Sequence, residues 1–186
     1  MTPRVLGIKV SPRSCQSIRR SAQAARQELW PEGGRINGAK LLERLIHYGV
    51  TYDVVPDSLI LRLGGVEASF DPVGMTLFLT EKTYNNLVRG DGRALFTLSH
   101  ELGHFLLHAG VKVLHRESSS RAGHKIYEDS EWQANAFAAE FCMPLDAILQ
   151  LKERTAEAIS LHFGVSLTAA SVRREQLQKQ GHLPAC

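Results

Sequence analysis

Apolar residues near the start of the chain recur at helical spacing. Ile18, Ala22, Ala25 and Leu29 form one stripe between Arg and Gln residues, which predicts an amphipathic helix over Ser14–Leu29. Pro31, Gly33 and Gly34 break it. Leu41, Leu42, Leu45 and Ile46 predict a second helix, opened by Asn37 as N-cap and closed at Gly49. The period then changes. Thr51–Val55 reads as a strand that stops at Pro56, and Leu59–Leu63 and Val66–Phe70 flank Gly64-Gly65 as a hairpin. Asp71-Pro72-Val73-Gly74 is a turn, and Met75–Thr80 is a further strand. Together these predict a small antiparallel meander.

From Glu81 the pattern is helical. A short helix ends at Gly90-Asp91-Gly92, and a long apolar one spans about Arg93 to Ala109 before Gly110. Residues 111–125, with Ser118–Ser120 and Gly123, read as an irregular loop. Tyr127–Met143 is a helix ended by Pro144, and two shorter pieces precede a final helix from Ser166 to about Lys179. The expected fold is one α+β domain over 1–186, with 153–186 a candidate small helical subunit.

Composition narrows the function classes. The chain has 186 residues, 44% hydrophobic and 22% charged, with a formal net charge of +3. It lacks a dense Lys/Arg block, so direct nucleic-acid binding is not expected, although Arg173, Arg174 and Lys179 make the last helix locally basic. The 3 Cys (Cys15, Cys142 and Cys186) are far apart and form no metal knuckle. Free thiols, no apolar N-terminal core and no segment of membrane-spanning length lead to an expectation of a cytoplasmic protein.

The candidate chemistry lies in the long helix. His100-Glu101-Leu102-Gly103-His104 puts two imidazoles one turn apart on one face, where they can converge on one metal ion. Imidazole suits zinc, and Glu101 is placed to take the proton of a water activated by it. The plain alternative is a pair of hydrogen-bonded core histidines. His108 extends the ladder but lies about 12 Å along the axis from His100, too far to share an ion, and reads as packing or as support behind a ligand. Gly110 stands where a longer H-E-x-x-H-x-x-G-x-x-H pattern would need its third His. Glu131 is the better third ligand, because it shares a small apolar face with Ala134, Asn135, Ala138 and Cys142; Glu128 is next. Asn135 is placed to hydrogen-bond a ligating His. Glu140 falls on the opposite face, as a solvated residue. Tyr127, His108, His115 and His124 are candidates for stabilising a transition state, Tyr127 foremost.

Arg93–His108 followed by Glu131–Pro144 (EWQANAFAAEFCMP) resembles the ImmA/IrrE family of metallopeptidases, with H-E-x-G-H-x-x-L-H, then E-x-x-A-N-x-F-A and Met-Pro. Phe141-Cys142 stands where two Leu are usual, and His162–Ser166 is similar to the family's F-x-V-S stretch. The resemblance implies a gluzincin-like fold, one zinc ion held by His100, His104 and Glu131, and Glu101 as general base. It also implies a substrate, an Xre-type helix-turn-helix repressor whose cleavage relieves repression. The competing expectation is a zinc-binding module that holds a partner without cleaving it, either toxin–antitoxin-like or DNA-associated through the last helix. A peptide substrate would add to a sheet edge, for which Met75–Thr80 is the candidate.

Overall fold

The computed structural model describes residues 7–59, 65–108 and 124–184. Helix α1 (Cys15–Leu29) begins where the Ser14 hydroxyl accepts from the Ser17 N–H at 3.1 Å, and it buries Ile18, Ala22 and Leu29. Asn37 caps α2 (Gly38–His47) through the Lys40 N–H at 3.1 Å. Both helices start and stop close to where periodicity and capping place them.

The α+β class is as expected, but the sheet is mixed. Strands β1 (Thr51–Val55), β2 (Ala68–Asp71) and β3 (Thr76–Thr80) lie in the order β1-β3-β2. β2 and β3 pair antiparallel across the Asp71–Gly74 turn, whereas β1 runs parallel to β3, Tyr52 opposite Leu77. The antiparallel meander is therefore corrected. The connection through residues 56–67 is too long for a tight hairpin, and it leaves β3 to occupy the middle. Leu77 and Leu79 are both buried, as a central strand requires. The proposed edge at Met75–Thr80 is corrected with it: among the described residues β3 is the middle strand, and β2 and β1 are the edges. The Gly64-Gly65 hairpin, with most of its first arm, lies outside the described residues.

Helix α3 (Glu81–Val88) leads into α4 (Gly92–His108), and a 3-10 turn at Ile126–Glu128 precedes α5 (Ser130–Cys142). Asp129 accepts the Trp132 N–H at 2.8 Å, so α5 starts later than the Tyr127 expected from sequence. The most extensive helix contact among the described residues joins α4 to α5, and α1 packs on α5. Gly103 makes the first of these contacts close. A Cβ there would lie 3.1 Å from the Ala134 carbonyl oxygen and 3.1 Å from the Phe137 ring. Gly92 does the same where α4 begins, against the backbone of Gly164 and Val165.

Helices α6 (Leu145–Gln150), α7 (Ala156–Phe163) and α8 (Leu167–Lys179) complete the chain, and Ile159, Phe163, Ala170 and Leu177 join the same buried cluster as Phe137 and Leu98. Burial pushes the Cys142 thiol up to about 11, which leaves it an inert core residue.

Helix α5 is buried almost all round, and this overturns the solvated placement of Glu140. Its carboxylate lies 2.9 Å from Arg19 of α1 and 2.7 Å from Arg173 of α8. The Arg173 contact is a close charge pair without hydrogen-bond alignment. The side of α5 opposite Glu131 is covered by α1 and α8, whose Arg19 and Arg173 meet Glu140 there. Glu140→Ala would leave the buried Arg173 guanidinium without its carboxylate and remove that of the partly buried Arg19, and it is expected to cost about 3–5 kcal/mol of stability in denaturant melts. A cost of a few tenths would mean that the triad is not held together.

Candidate metal centre

The long helix is apolar on the face turned to the core (Leu95, Leu98, Leu102) and carries His100, His104 and His108 on another. Glu101 borders β2, where its carboxylate accepts the Phe70 backbone N–H, and it lies near enough to His100 and His104 for their charge to act on it. From α5, across the Gly103 contact, Glu131 reaches the two imidazoles. His100 Nε2 and His104 Nε2 are 2.9 Å apart, and Glu131 oxygens lie 3.3 Å from the first and 3.2 Å from the second.

These separations fit a shared ion. Tetrahedral ligands with bonds of about 2.0–2.1 Å stand about 3.3 Å from one another. Two imidazole nitrogens and a carboxylate, half-buried and aimed at one point, are a donor set able to bind a metal ion. It is the only such group among the described residues.

The other ring nitrogens are held by protein. Asn135 Oδ1 is 3.3 Å from His100 Nδ1, and its amide is oriented by a 2.8 Å bond from Nδ2 to the Glu131 carbonyl. His108 Nδ1 lies 3.3 Å from His104 Nδ1, and His108 Nε2 lies 3.1 Å from Gln133 Oε1. Burial is the largest influence on His108 and lowers its pKa, so the ring is neutral at pH 7.

Other sequence candidates stand apart. Glu128 caps Lys125 and pairs with Lys9, outside the trio. His124 is paired with the buried Asp129 at 2.9 Å. Tyr127 stacks under Lys125 beside Pro12 and Trp132, with its backbone carbonyl bonded to Gln133. His115 lies outside the described residues. Sequence reasoning missed Gln133 and the Phe70 amide. No spacing rule marks a backbone N–H on a strand, and a lone buried Gln has no signature in one sequence.

The electrostatics of the metal-free trio predict a pH signature. Hydrogen bonds from His100, then from His104, hold the Glu131 carboxyl well below the usual carboxylate range. Burial acts to lower the His100 pKa, but the Glu131 hydrogen bond and the nearby carboxylates outweigh it, and the net shift is upward. A depressed carboxyl stabilises above its unfolded pKa and loses this as pH falls through its folded value. A raised His stabilises below its unfolded pKa of about 6.5 and loses this as pH rises through its folded value. The two overlap at mildly acidic pH. In chelator, the Tm advantage of the parent over Glu131→Gln is expected to be largest near about pH 5–6 and smaller by about pH 8. A difference that does not vary with pH would show that the pair is not formed.

A helix pair that brings H-E-x-x-H and a distant Glu to one point defines a metallopeptidase-type centre. Residues 85–175 match the profile of the IrrE N-terminal-like domain, a peptidase family, and that span includes α4, α5 and the whole trio. This span belongs to the ImmA/IrrE family of metallopeptidases. No curated protein is significantly similar to the chain.

Proposed function

We propose that the protein is a zinc-dependent endopeptidase, in which His100, His104 and Glu131 hold one zinc ion and Glu101 is the general base. The observation that carries this reading is the convergence of His100 Nε2, His104 Nε2 and the Glu131 carboxylate, with the two nitrogens 2.9 Å apart and each within 3.3 Å of one carboxylate oxygen, and with Glu101 beside but outside them. A zinc ion held there supplies Lewis acidity toward a peptide carbonyl and lowers the pKa of a water in its open position to about 7.

The chain's own residues do the rest. Glu101 takes a proton from the attacking water onto its carboxylate and returns it to the departing amide nitrogen. Burial, its largest influence, raises its pKa and brings it nearer the working pH of a base. The Phe70 N–H holds the carboxylate in place. An extended peptide would lie along β2, the strand that borders this carboxylate. A cavity of about 780 Å³ continues from Glu131 past Trp132, Asn135, Phe96 and Val172, with Arg93 at its side, and would receive a neighbouring side chain of the substrate.

By the family resemblance the substrate is an Xre-type repressor, cleaved in the cytoplasm to relieve repression. The DNA-associated alternative is weakened by the burial of Arg173 against Glu140, which removes it as a phosphate contact. The test is incubation of the zinc-loaded protein with the Xre-type repressor of a neighbouring reading frame, followed by intact-mass analysis. Discrete fragments that vanish with chelator are expected. An intact repressor that forms a stable complex would favour the non-proteolytic module.

A further inference from the structure

We propose that Gln133 and His108 are positioning residues for the metal centre: the Gln133 amide sets the tautomer of His108, and His108 sets that of His104, leaving the His104 Nε2 lone pair free for the metal. The inference rests on the reading of His104 as a ligand.

The hydrogen-bond relay begins at its buried end. Gln133 is fully buried on α5, and its Nε2 lies 2.9 Å from the Ser11 carbonyl oxygen and 2.8 Å from the Tyr127 carbonyl oxygen. Both partners can only accept, so the NH2 group must face them and the amide cannot flip. Its Oε1 therefore faces His108 Nε2, at 3.1 Å. An amide oxygen only accepts, so His108 Nε2 carries the hydrogen. A neutral imidazole with that hydrogen has its lone pair on Nδ1, which lies 3.3 Å from His104 Nδ1. His104 Nδ1 then carries its hydrogen and donates. In the zinc-loaded state, where His104 is neutral, its Nε2 is left bare, and that is the atom beside His100 Nε2 and Glu131.

Each link has one donor and one acceptor, and the chain closes in this sense alone. If His108 carried its hydrogen on Nδ1, that hydrogen would face the His104 N–H or force His104 to protonate Nε2. The second outcome would aim a hydrogen at the metal position. Protonating both His108 nitrogens has the same consequence.

The far end of the chain is fixed by the segment before α1. Ser130 N–H donates to the Ile8 carbonyl, Val10 N–H to Glu128 and Arg13 N–H to Tyr127, at 2.8–3.0 Å. This pairing holds the Ser11 carbonyl over Gln133. His100 is served in a single step by Asn135, so the two imidazoles reach the same tautomer by different routes. Such partners behind a ligand typically change metal affinity 10–100-fold.

The first experiment reads the tautomers directly. Two-bond nitrogen–proton correlation spectra of the zinc-loaded, histidine-labelled protein should show His104 protonated on Nδ1 and His108 on Nε2. His108 protonated on Nδ1, or on both nitrogens, would overturn the proposal. The second uses zinc alone as probe, in competition with a chromophoric chelator. Gln133→Leu and His108→Leu should bind zinc about 10–100-fold more weakly. His108→Gln, whose amide can accept from His104 and donate to Gln133, should retain affinity within a few-fold. Unchanged affinity in Gln133→Leu, or no recovery in His108→Gln, would also overturn it. Where a variant does not fold, as judged by circular dichroism, the parent's tautomers decide. A parent that binds zinc with the opposite tautomers sinks this proposal alone, whereas one that binds no zinc sinks the reading beneath it.

Discussion

Glu101→Gln is expected to keep the zinc affinity of the parent and to lose roughly a thousandfold in peptide cleavage. The two halves of this result come from two placements of neighbouring residues. His100 faces Glu131 and His104, whereas Glu101 turns toward β2 and takes the Phe70 N–H. It is not one of the three converging side chains, so an amide of the same shape should leave the ligand geometry intact. An amide cannot accept the proton of an attacking water, so the chemical step should fail. The check is zinc affinity by chelator competition beside cleavage followed by intact mass. A variant that cleaves as fast as the parent would remove Glu101 from the mechanism. One that loses its zinc would make Glu101 part of the metal site instead.

Glu131→Ala is expected to weaken zinc binding by more than about 100-fold, beyond the range found for residues that only support a ligand. Glu131 is the one member of the trio that comes from a separate helix, and its oxygens span both imidazoles at 3.3 and 3.2 Å. Without it, two ligands one turn apart on α4 would remain. Glu128→Ala is the matched control. Its carboxylate is occupied by Lys9 and the Lys125 backbone N–H, so its zinc affinity should equal the parent's. Loss of zinc in the Glu128 variant and not in the Glu131 variant would reverse the assignment.

The helix pair was legible in the sequence because its signals are local. A spacing of four puts His100 and His104 on one face whatever surrounds them. The small apolar face of Ala134, Asn135 and Ala138 turns Glu131 toward the same helix. The cap residues Asn37 and Ser166 announced two helix starts by a bond within one turn, whereas Ser14, read as the first helical residue, is itself a cap. What escaped was non-local. Strand order is not written in the alternation of Leu77 and Leu79, which suits a middle strand in either direction. Glu140 looked solvated because a helical wheel shows one helix at a time, and Arg19 and Arg173 arrive from α1 and α8. The relay behind His104 was half visible: His108 could be named as a supporting residue, but its partner Gln133 is set by the Ser11 carbonyl from far along the chain together with that of Tyr127.

The Gly103 contact links fold to site. It lies in the turn between the two histidines, and the close approach it permits brings Glu131 within reach of both. The glycine of the H-E-x-G-H stretch thus has a packing reason that stands apart from the metal.

The most direct test of the central claim is zinc stoichiometry by native mass spectrometry, with the parent and His104→Ala reconstituted side by side. One zinc per chain on the parent and none on the variant is the predicted result. A parent without zinc, or one zinc on both proteins, would contradict it.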